Sequence, residues 1–152
     1  MNEVPRSGHG ERRATRWLVD GMNVIGSRPD RWWNDPDRAV QRFIGELEDF
    51  AETTGDDVVV VFDRRPPDVT PGPYGLIEVV FASRTGRNAA DHDIVELVAD
   101  DEAPATIMVV TSDRALVDRV KQRGAQVASA GSFRRRLDDI TNTDEVTRDN
   151  PR

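Results

Sequence analysis

The chain has 152 residues, which suits one domain with a sizeable core, and 28 acidic against 21 basic residues give a net charge of −7. Cysteine is absent, which excludes disulfides, thiolate catalysis and cysteine-ligated zinc. No run is apolar enough to cross a membrane, and the polar N-terminus has no signal-like apolar segment, so we expect a cytoplasmic protein. The acidic balance argues against simple nonspecific binding to phosphate backbones, unless cations occupy some of the carboxylates.

The first third of the chain predicts a tail, a strand and a long helix. Residues 1–15 are polar and aperiodic, which is typical of a disordered tail. A short apolar strand follows at 16–19 and is broken by the sequence DGMN. Asp35 then suits the N-cap of a helix with Pro36 in its first position, and Gly55 ends it.

The middle third predicts two strands and a helix. The β-branched run at 58–62 is typical of a strand buried on both faces. Prolines and glycines between 64 and 75 predict a loop, which leads into a third strand at 76–82. A basic loop then precedes a helix at 89–100, whose apolar stripe includes Val95 and Val98.

The last third predicts two short strands and two helices. A fourth strand covers 106–110, a helix covers 113–123 and a fifth strand covers 126–128. Ser132 suits the cap of a final helix at 133–140. Residues 141–152 predict a second disordered tail. Together the elements predict a single α/β domain over residues 16–140 with a mostly parallel sheet.

Aspartates follow three of these strands, as Asp20, Asp63 and Asp113. Because parallel strands end at one edge of a sheet, where ligands of α/β proteins bind, we expect these carboxylates to converge. Asp91 lies in the first turn of the predicted helix at 89–100, on the side that faces the core, whereas Asp93 points elsewhere. Turns and helix caps explain each aspartate singly, but only a shared site explains all of them.

Oxygen-only ligands favour Mg²⁺ or Mn²⁺, as one or two ions, and such sites commonly serve phosphoryl transfer. Asn23 can act as a neutral ligand or fix the site, and the hydroxyls of Thr111 and Ser112 can support it. His9 and His92 lack the spacing of a metal triad. The sequence has no phosphate-binding loop, dinucleotide fingerprint or serine nucleophile elbow.

Four motifs in order resemble the YacP-like branch of the NYN family, within the PIN-like nuclease superfamily. They are VDGMNVI from Val19, VFD ending at Asp63, NAADHDI from Asn88 and VTSD ending at Asp113. The resemblance spans about residues 17–137. It implies a three-layer α/β/α fold with five strands in the order 3-2-1-4-5, which places the strands before Asp20, Asp63 and Asp113 side by side.

The resemblance also implies metal-dependent RNA cleavage. Asp20, Asp91 and Asp113 match the family's metal-binding acids, with Asp63 close behind, and Asn23 matches a site-fixing residue. His92 is a departure, because relatives often carry a second acid there, which leaves open whether Asp93 compensates.

Arginines near the predicted site are candidates for contacts with RNA phosphates, and the preferred pair is Arg64 and Arg65, beside Asp63. The other candidates are Arg28, Arg31, Arg84, Arg87 and the late run from Arg134 to Arg136. Trp32 and Trp33 suit either stacking on unpaired bases or covering the core. The expected partner is RNA, with association with the ribosome as an extension; no membrane is expected, and the oligomeric state is open.

The sequence therefore predicts a Mg²⁺- or Mn²⁺-dependent ribonuclease acting on unpaired RNA, as an endoribonuclease. One alternative is a non-catalytic RNA- or ribosome-binding module with a degenerate site, which His92 favours. Another is a phosphatase of the haloacid-dehalogenase type. That class needs an Asp-x-Asp pair after the first strand, and the chain has Asp20-Gly21-Met22.

Overall fold

A computed structural model describes residues 15–86 and 88–149, with the side chains of the last helix described to residue 141. Arg87 and nearly all of the predicted N-terminal tail lie outside the described residues.

The domain is built on a six-stranded sheet with the order β3-β4-β2-β1-β5-β6. The strands are β1 (Arg16–Asp20), β2 (Asp57–Phe62), β3 (Gly72–Tyr74), β4 (Ile77–Phe81), β5 (Ile107–Val110) and β6 (Gln126–Ala128). Within the described residues, five helices cover the sheet: α1 (Gly21–Gly26), α2 (Pro36–Thr54), α3 (Ala89–Ala99), α4 (Arg114–Gln122) and α5 (Ala130–Asp149). Single 3-10 turns occupy Trp32–Asn34 and Pro104–Thr106.

The predicted α/β class is confirmed, and the five predicted strands are parallel and in the predicted order. The strand count is corrected from five to six, because the predicted loop 64–75 contains β3. This strand pairs antiparallel with β4, and Tyr74 lies opposite Ile77. Its composition, Gly-Pro-Tyr, is typical of a turn, and only pairing with β4 makes it a strand.

The ends of α2 are confirmed by its contacts. Asp35 accepts a hydrogen bond from the backbone N–H of Arg38, and Gly55 ends the helix with a φ of 75°. The start and end of α5 differ from the prediction, since the helix begins at Ala130 and continues past residue 140. Ser132 lies inside its first turn rather than capping it.

Two apolar layers hold the helices against the sheet. On one face α1, α2 and α5 bury Leu47, Phe50 and Phe133; on the other, α3 and α4 bury Ile94 and Leu116. This three-layer arrangement matches the predicted fold. None of the helices in the described residues is long and apolar enough to span a membrane.

β1 lies at the centre of the molecule. It pairs in parallel with β2 on one side and with β5 on the other. Trp17 packs between the rings of Phe50 and Phe133, at 5.5 and 5.2 Å, and its indole nitrogen donates to Asp56 over 2.9 Å. These contacts hold β1 in place, and Asp20 lies at the carboxyl end of this strand.

Candidate active site

Asp20 ends β1 and is buried, with 6% of its surface exposed. Its Oδ2 accepts a hydrogen bond of 2.9 Å from the hydroxyl of Thr111, which is also buried. Burial is the main reason that the pKa of Asp20 rises to about 7, and the charges of Asp91, Asp63 and Asp113 raise it further. The Thr111 hydrogen bond opposes this rise.

Asp63 and Asp113 follow the two strands that flank β1, and Asp91 comes from the first turn of α3. Burial raises the pKa of both Asp63 and Asp91, and the charges of Asp113 and Asp63 add to the rise at Asp91. The structure therefore brings four of the predicted aspartates within electrostatic reach of one another. They form an acidic cluster of Asp20, Asp63, Asp91 and Asp113.

Asn23 ties α1 to the end of β5. Its Oδ1 accepts the backbone N–H of Ser112 over 2.8 Å, while the N–H of Asp113 donates to Thr111 Oγ1 over 3.1 Å. The Ser112 hydroxyl in turn accepts the N–H of Ala130 at the start of α5, over 2.9 Å. These bonds hold α1, which directly follows Asp20, to the segment that carries Asp113.

Gly21 lets α1 begin directly against the sheet. A Cβ at this position would lie 2.5 Å from two ring carbons of Phe62. No side chain larger than hydrogen fits there without movement of that fully buried ring. The short α1 was missed in the sequence, because Gly21 and Asn23 within it indicated a turn.

Asp113 has two roles in the structure. Its Oδ1 accepts the backbone N–H groups of Ala115 and Leu116, at 3.0 and 3.2 Å, which makes it the N-cap of α4. Neither bond uses Oδ2. The helix-cap interpretation is therefore correct, and it leaves one carboxylate oxygen to the acidic cluster.

Asp93 and His92 make contacts elsewhere. Both carboxylate oxygens of Asp93 accept from Ser83, from its N–H and its hydroxyl, at 3.0 to 3.3 Å. His92 Nε2 lies 3.4 Å from Glu96, one turn further along α3. Asp93 thus anchors the loop before α3, and the structure gives it no contact with the acidic cluster.

The predicted arginines differ in their contacts and in their exposure. Arg28 is enclosed by Glu46 and Asp138, at 3.3 and 3.4 Å, so its charge is used inside the protein. Arg64 pairs with Asp37 over 2.8 Å, and the guanidinium of Arg65 lies 5.3 Å from the centre of the Phe81 ring. Arg84 is exposed.

Arg119 on α4 was missed in the sequence. Its positive charge lowers the pKa of Asp91, which places it close to the acidic cluster. Only the packing of α3 against α4 reveals this, since nothing in the local sequence distinguishes Arg119 from other exposed arginines.

The donor chemistry of the acidic cluster suits a divalent cation. The carboxylates raise one another's pKa, and a bound cation would relieve that repulsion. Among the described residues, no three acidic or histidine side chains converge closely enough to hold a metal ion as they stand. The residues fit a metal by ligand type and charge, and side-chain rotation would have to bring them together.

A mostly parallel sheet with the buried Asp20 and three further carboxylates at its carboxyl edge, beside a short Asp-Gly-x-Asn helix start, is the arrangement expected of the PIN-like nuclease class. The family model for the YacP-like NYN domain matches residues 17–151, and the chain belongs to that family. The resemblance predicted from the four motifs is thereby confirmed. PIN-like nucleases typically use divalent metals.

Two solved structures of Rae1 (YacP) from Bacillus subtilis are similar to this chain. A mutant form is 28% identical, with a TM-score of 0.67 and a match over 86% of this chain and 78% of that one. A second structure is 26% identical, with a TM-score of 0.66 and coverage of 89% and 83%. No curated protein sequence matches the chain.

Proposed function

We propose that this protein is a Mg²⁺- or Mn²⁺-dependent endoribonuclease that hydrolyses phosphodiester bonds in unpaired RNA. The observation that carries the proposal is the acidic cluster around the buried Asp20, at the sheet edge where ligands of α/β proteins bind. Membership of a PIN-like nuclease family supports RNA as the substrate class.

Asp20, Asp91 and Asp113 would hold the cation, with Asp63 as a further ligand or as the partner of a water molecule. When bound, a divalent cation supplies Lewis-acid chemistry that activates water and neutralises the phosphate. Thr111 holds Asp20 in one orientation through its 2.9 Å hydrogen bond, and Asn23 keeps α1 against β5. These two residues position the acids rather than react.

The excess negative charge of the cluster would repel RNA in the absence of a cation. Nearby positive groups reduce this repulsion: Arg119 lies beside Asp91, and Arg64 and Arg65 follow directly after Asp63. Arg64 can exchange its pairing with Asp37 for a phosphate, because this surface pair is exposed and of small net strength. Asp93 is retained as a structural residue in this proposal.

A circular single-stranded RNA tests the activity and its endonucleolytic character together. An endonuclease linearises the circle in Mn²⁺, and EDTA prevents the reaction; an exonuclease leaves the circle intact but degrades the same RNA when linear. Failure to cut either form, with Mg²⁺ or with Mn²⁺, would reject the proposal.

The second candidate is a non-catalytic RNA-binding module, associated with the ribosome or with free RNA. Two observations favour it: His92 stands where relatives often have an acid, and no three metal-ligating side chains converge within the described residues. Calorimetric titration with Mn²⁺ separates the two functions. The nuclease binds the ion, whereas the module binds RNA without binding Mn²⁺.

A further inference from the structure

A small cavity lies one short helix away from the acidic cluster, between α1, the 3-10 turn at Trp32–Asn34, α2 and α5. Its volume is about 150 Å³. Pockets that enclose a whole small molecule usually measure about 300 to 1,000 Å³. This cavity therefore suits part of a larger ligand, with the rest of that ligand outside it.

The cavity is positively charged in an acidic protein. Five arginines and three carboxylates line it, whereas the whole chain carries a net charge of −7. Arg28 is balanced by Glu46 and Asp138, and Arg42 is balanced by Asp30 over 3.1 Å.

The other three arginines, Arg31, Arg38 and Arg134, have no carboxylate partner among the described residues. Asp35 is the one remaining acid of the lining, and its Oδ1 accepts the backbone N–H of Arg38 as the cap of α2. The cavity is thus an anion site by charge.

Arg134 gives the second, independent observation. Its Nε is buried and is the one side-chain nitrogen or oxygen of that kind without a hydrogen bond partner in the described part of the chain. Its Nη2 makes only a long contact, 3.5 Å, to the carbonyl of Ser27. A buried donor without an acceptor is costly, and Arg134 lines the cavity, where an anion would give its guanidinium an acceptor.

Trp32 adds a flat aromatic wall. Its ring is half-buried, packs edge-on against Trp33 with the ring centres 6.1 Å apart, and contributes to the lining. An aromatic ring next to unpaired guanidinium groups is the combination that binds a base and its phosphate in single-stranded nucleic acids.

We infer that this cavity is a subsite for one unpaired nucleotide of an RNA strand, with the base stacked on Trp32 and the phosphate held by Arg31, Arg38 and Arg134. α1, which follows Asp20 directly and contributes Val24 and Ile25 to the cavity lining, is six residues long, or about 9 Å along its axis. The strand would therefore be held a short distance from the bond that is cut. The inference rests on the proposed function only in taking RNA as the ligand class.

The test measures how tightly the full chain binds a fluorescently labelled single-stranded RNA in EDTA. Fluorescence anisotropy reports the binding, over a range of salt concentrations. The variants are Arg31→Gln with Arg38→Gln, and separately Trp32→Leu. The matched control is Lys121→Gln with Arg123→Gln, which removes the same charge from the exposed end of α4.

The cavity double variant should bind RNA at least tenfold more weakly, and the slope of log affinity against log salt should fall by about 1.4, as expected for two lost phosphate contacts. Trp32→Leu should weaken binding about tenfold with an unchanged slope. The control should change affinity less than twofold.

Equal losses in the cavity double variant and the control would overturn the inference, as would unchanged binding in the cavity variants. That second result, unchanged RNA binding in the cavity variants, would point to an acidic protein segment as the occupant of the cavity. The outcome is independent of cleavage: loss of binding in the cavity variants supports the subsite even if the parental protein cuts no RNA.

Discussion

At the scale of single residues, Asp20 determines the electrostatics of the site, because it is buried beside three other carboxylates. The sequence was sufficient to predict that Asp20, Asp63, Asp91 and Asp113 lie near one another, since each follows a strand or opens a helix. Helical spacing also placed Asp91, rather than Asp93, on the core-facing side of the helix. What the sequence did not reveal is the contact that occupies Asp93, which accepts from the N–H and the hydroxyl of Ser83.

Replacing Asp20 with Asn should stabilise the metal-free protein. The pKa of Asp20 is about 7 in the folded state against an ordinary value of 3.8. A carboxylate whose pKa is raised by folding stabilises the folded state fully when the pH is below its unfolded pKa. This stabilisation is lost as the pH rises through its folded-state pKa. The parental free energy of unfolding should therefore fall by about 1 kcal/mol between roughly pH 6 and pH 8 relative to Asp20→Asn. Urea unfolding in EDTA measures this, with the exposed Asp118→Asn as control; parallel pH profiles for parent and Asp20→Asn would contradict it.

Asp113 offers a way to separate capping from catalysis. Asn caps helices as well as Asp does, so Asp113→Asn should keep its stability within about 0.5 kcal/mol while RNA cleavage falls at least about 100-fold. Asp113→Ala should lose the activity and also about 1 kcal/mol of stability, because the N–H groups of Ala115 and Leu116 lose their acceptor. Thermal unfolding and a cleavage assay on the same samples test this. Full activity in Asp113→Asn would remove Asp113 from the metal-binding set.

At the scale of elements, the parallel strands were predictable because runs of valine and isoleucine can only be buried in the middle of such a sheet. The two elements that were missed, α1 and β3, have no such signal. α1 has six residues and both begins and ends with glycine, and β3 is Gly-Pro-Tyr. Each exists because a neighbour completes it: Ser112 binds Asn23 of α1, and β4 pairs with β3.

The close approach of α1 to β2 predicts a sharp difference between two glycines. Gly21→Ala should destabilise the protein by about 1–3 kcal/mol, because the added carbon would overlap the buried Phe62 ring. Gly45→Ala is the matched control: it lies within α2 with nothing within 4 Å of the added carbon, and it should stabilise the protein by about 0.5–1 kcal/mol. Chemical denaturation measures both. Equal effects at the two positions would show that α1 does not pack as described.

At the scale of the whole molecule, the fold explains how residues more than ninety positions apart come to share one site. The order β2-β1-β5 places three strand ends side by side. α3 adds Asp91 from the face of the sheet opposite α1, α2 and α5. Strand order was predicted through the family resemblance rather than from the strands themselves. The cavity beside α1 was not predictable, because its lining comes from α1, α2, α5 and the intervening loop.

Binding of a divalent ion should stabilise the entire domain, since the acidic cluster joins both halves of the sheet. At an Mn²⁺ concentration 100 times the dissociation constant, the free energy of unfolding should rise by about 2.7 kcal/mol. The rise should be much smaller in Asp20→Asn, which lacks a central ligand. Differential scanning fluorimetry with and without Mn²⁺ measures the effect; an equal shift in both proteins would place the ion elsewhere.

The most direct measurement is cleavage of a labelled single-stranded RNA by parent, Asp20→Asn and Asp113→Asn, each with Mn²⁺ and with EDTA. The parent should cut only with Mn²⁺, and both variants should cut at least about 100-fold more slowly while remaining folded and still binding the RNA. Cleavage that persists in EDTA, or a folded variant that cuts at the parental rate, would contradict a metal-dependent nuclease site centred on Asp20.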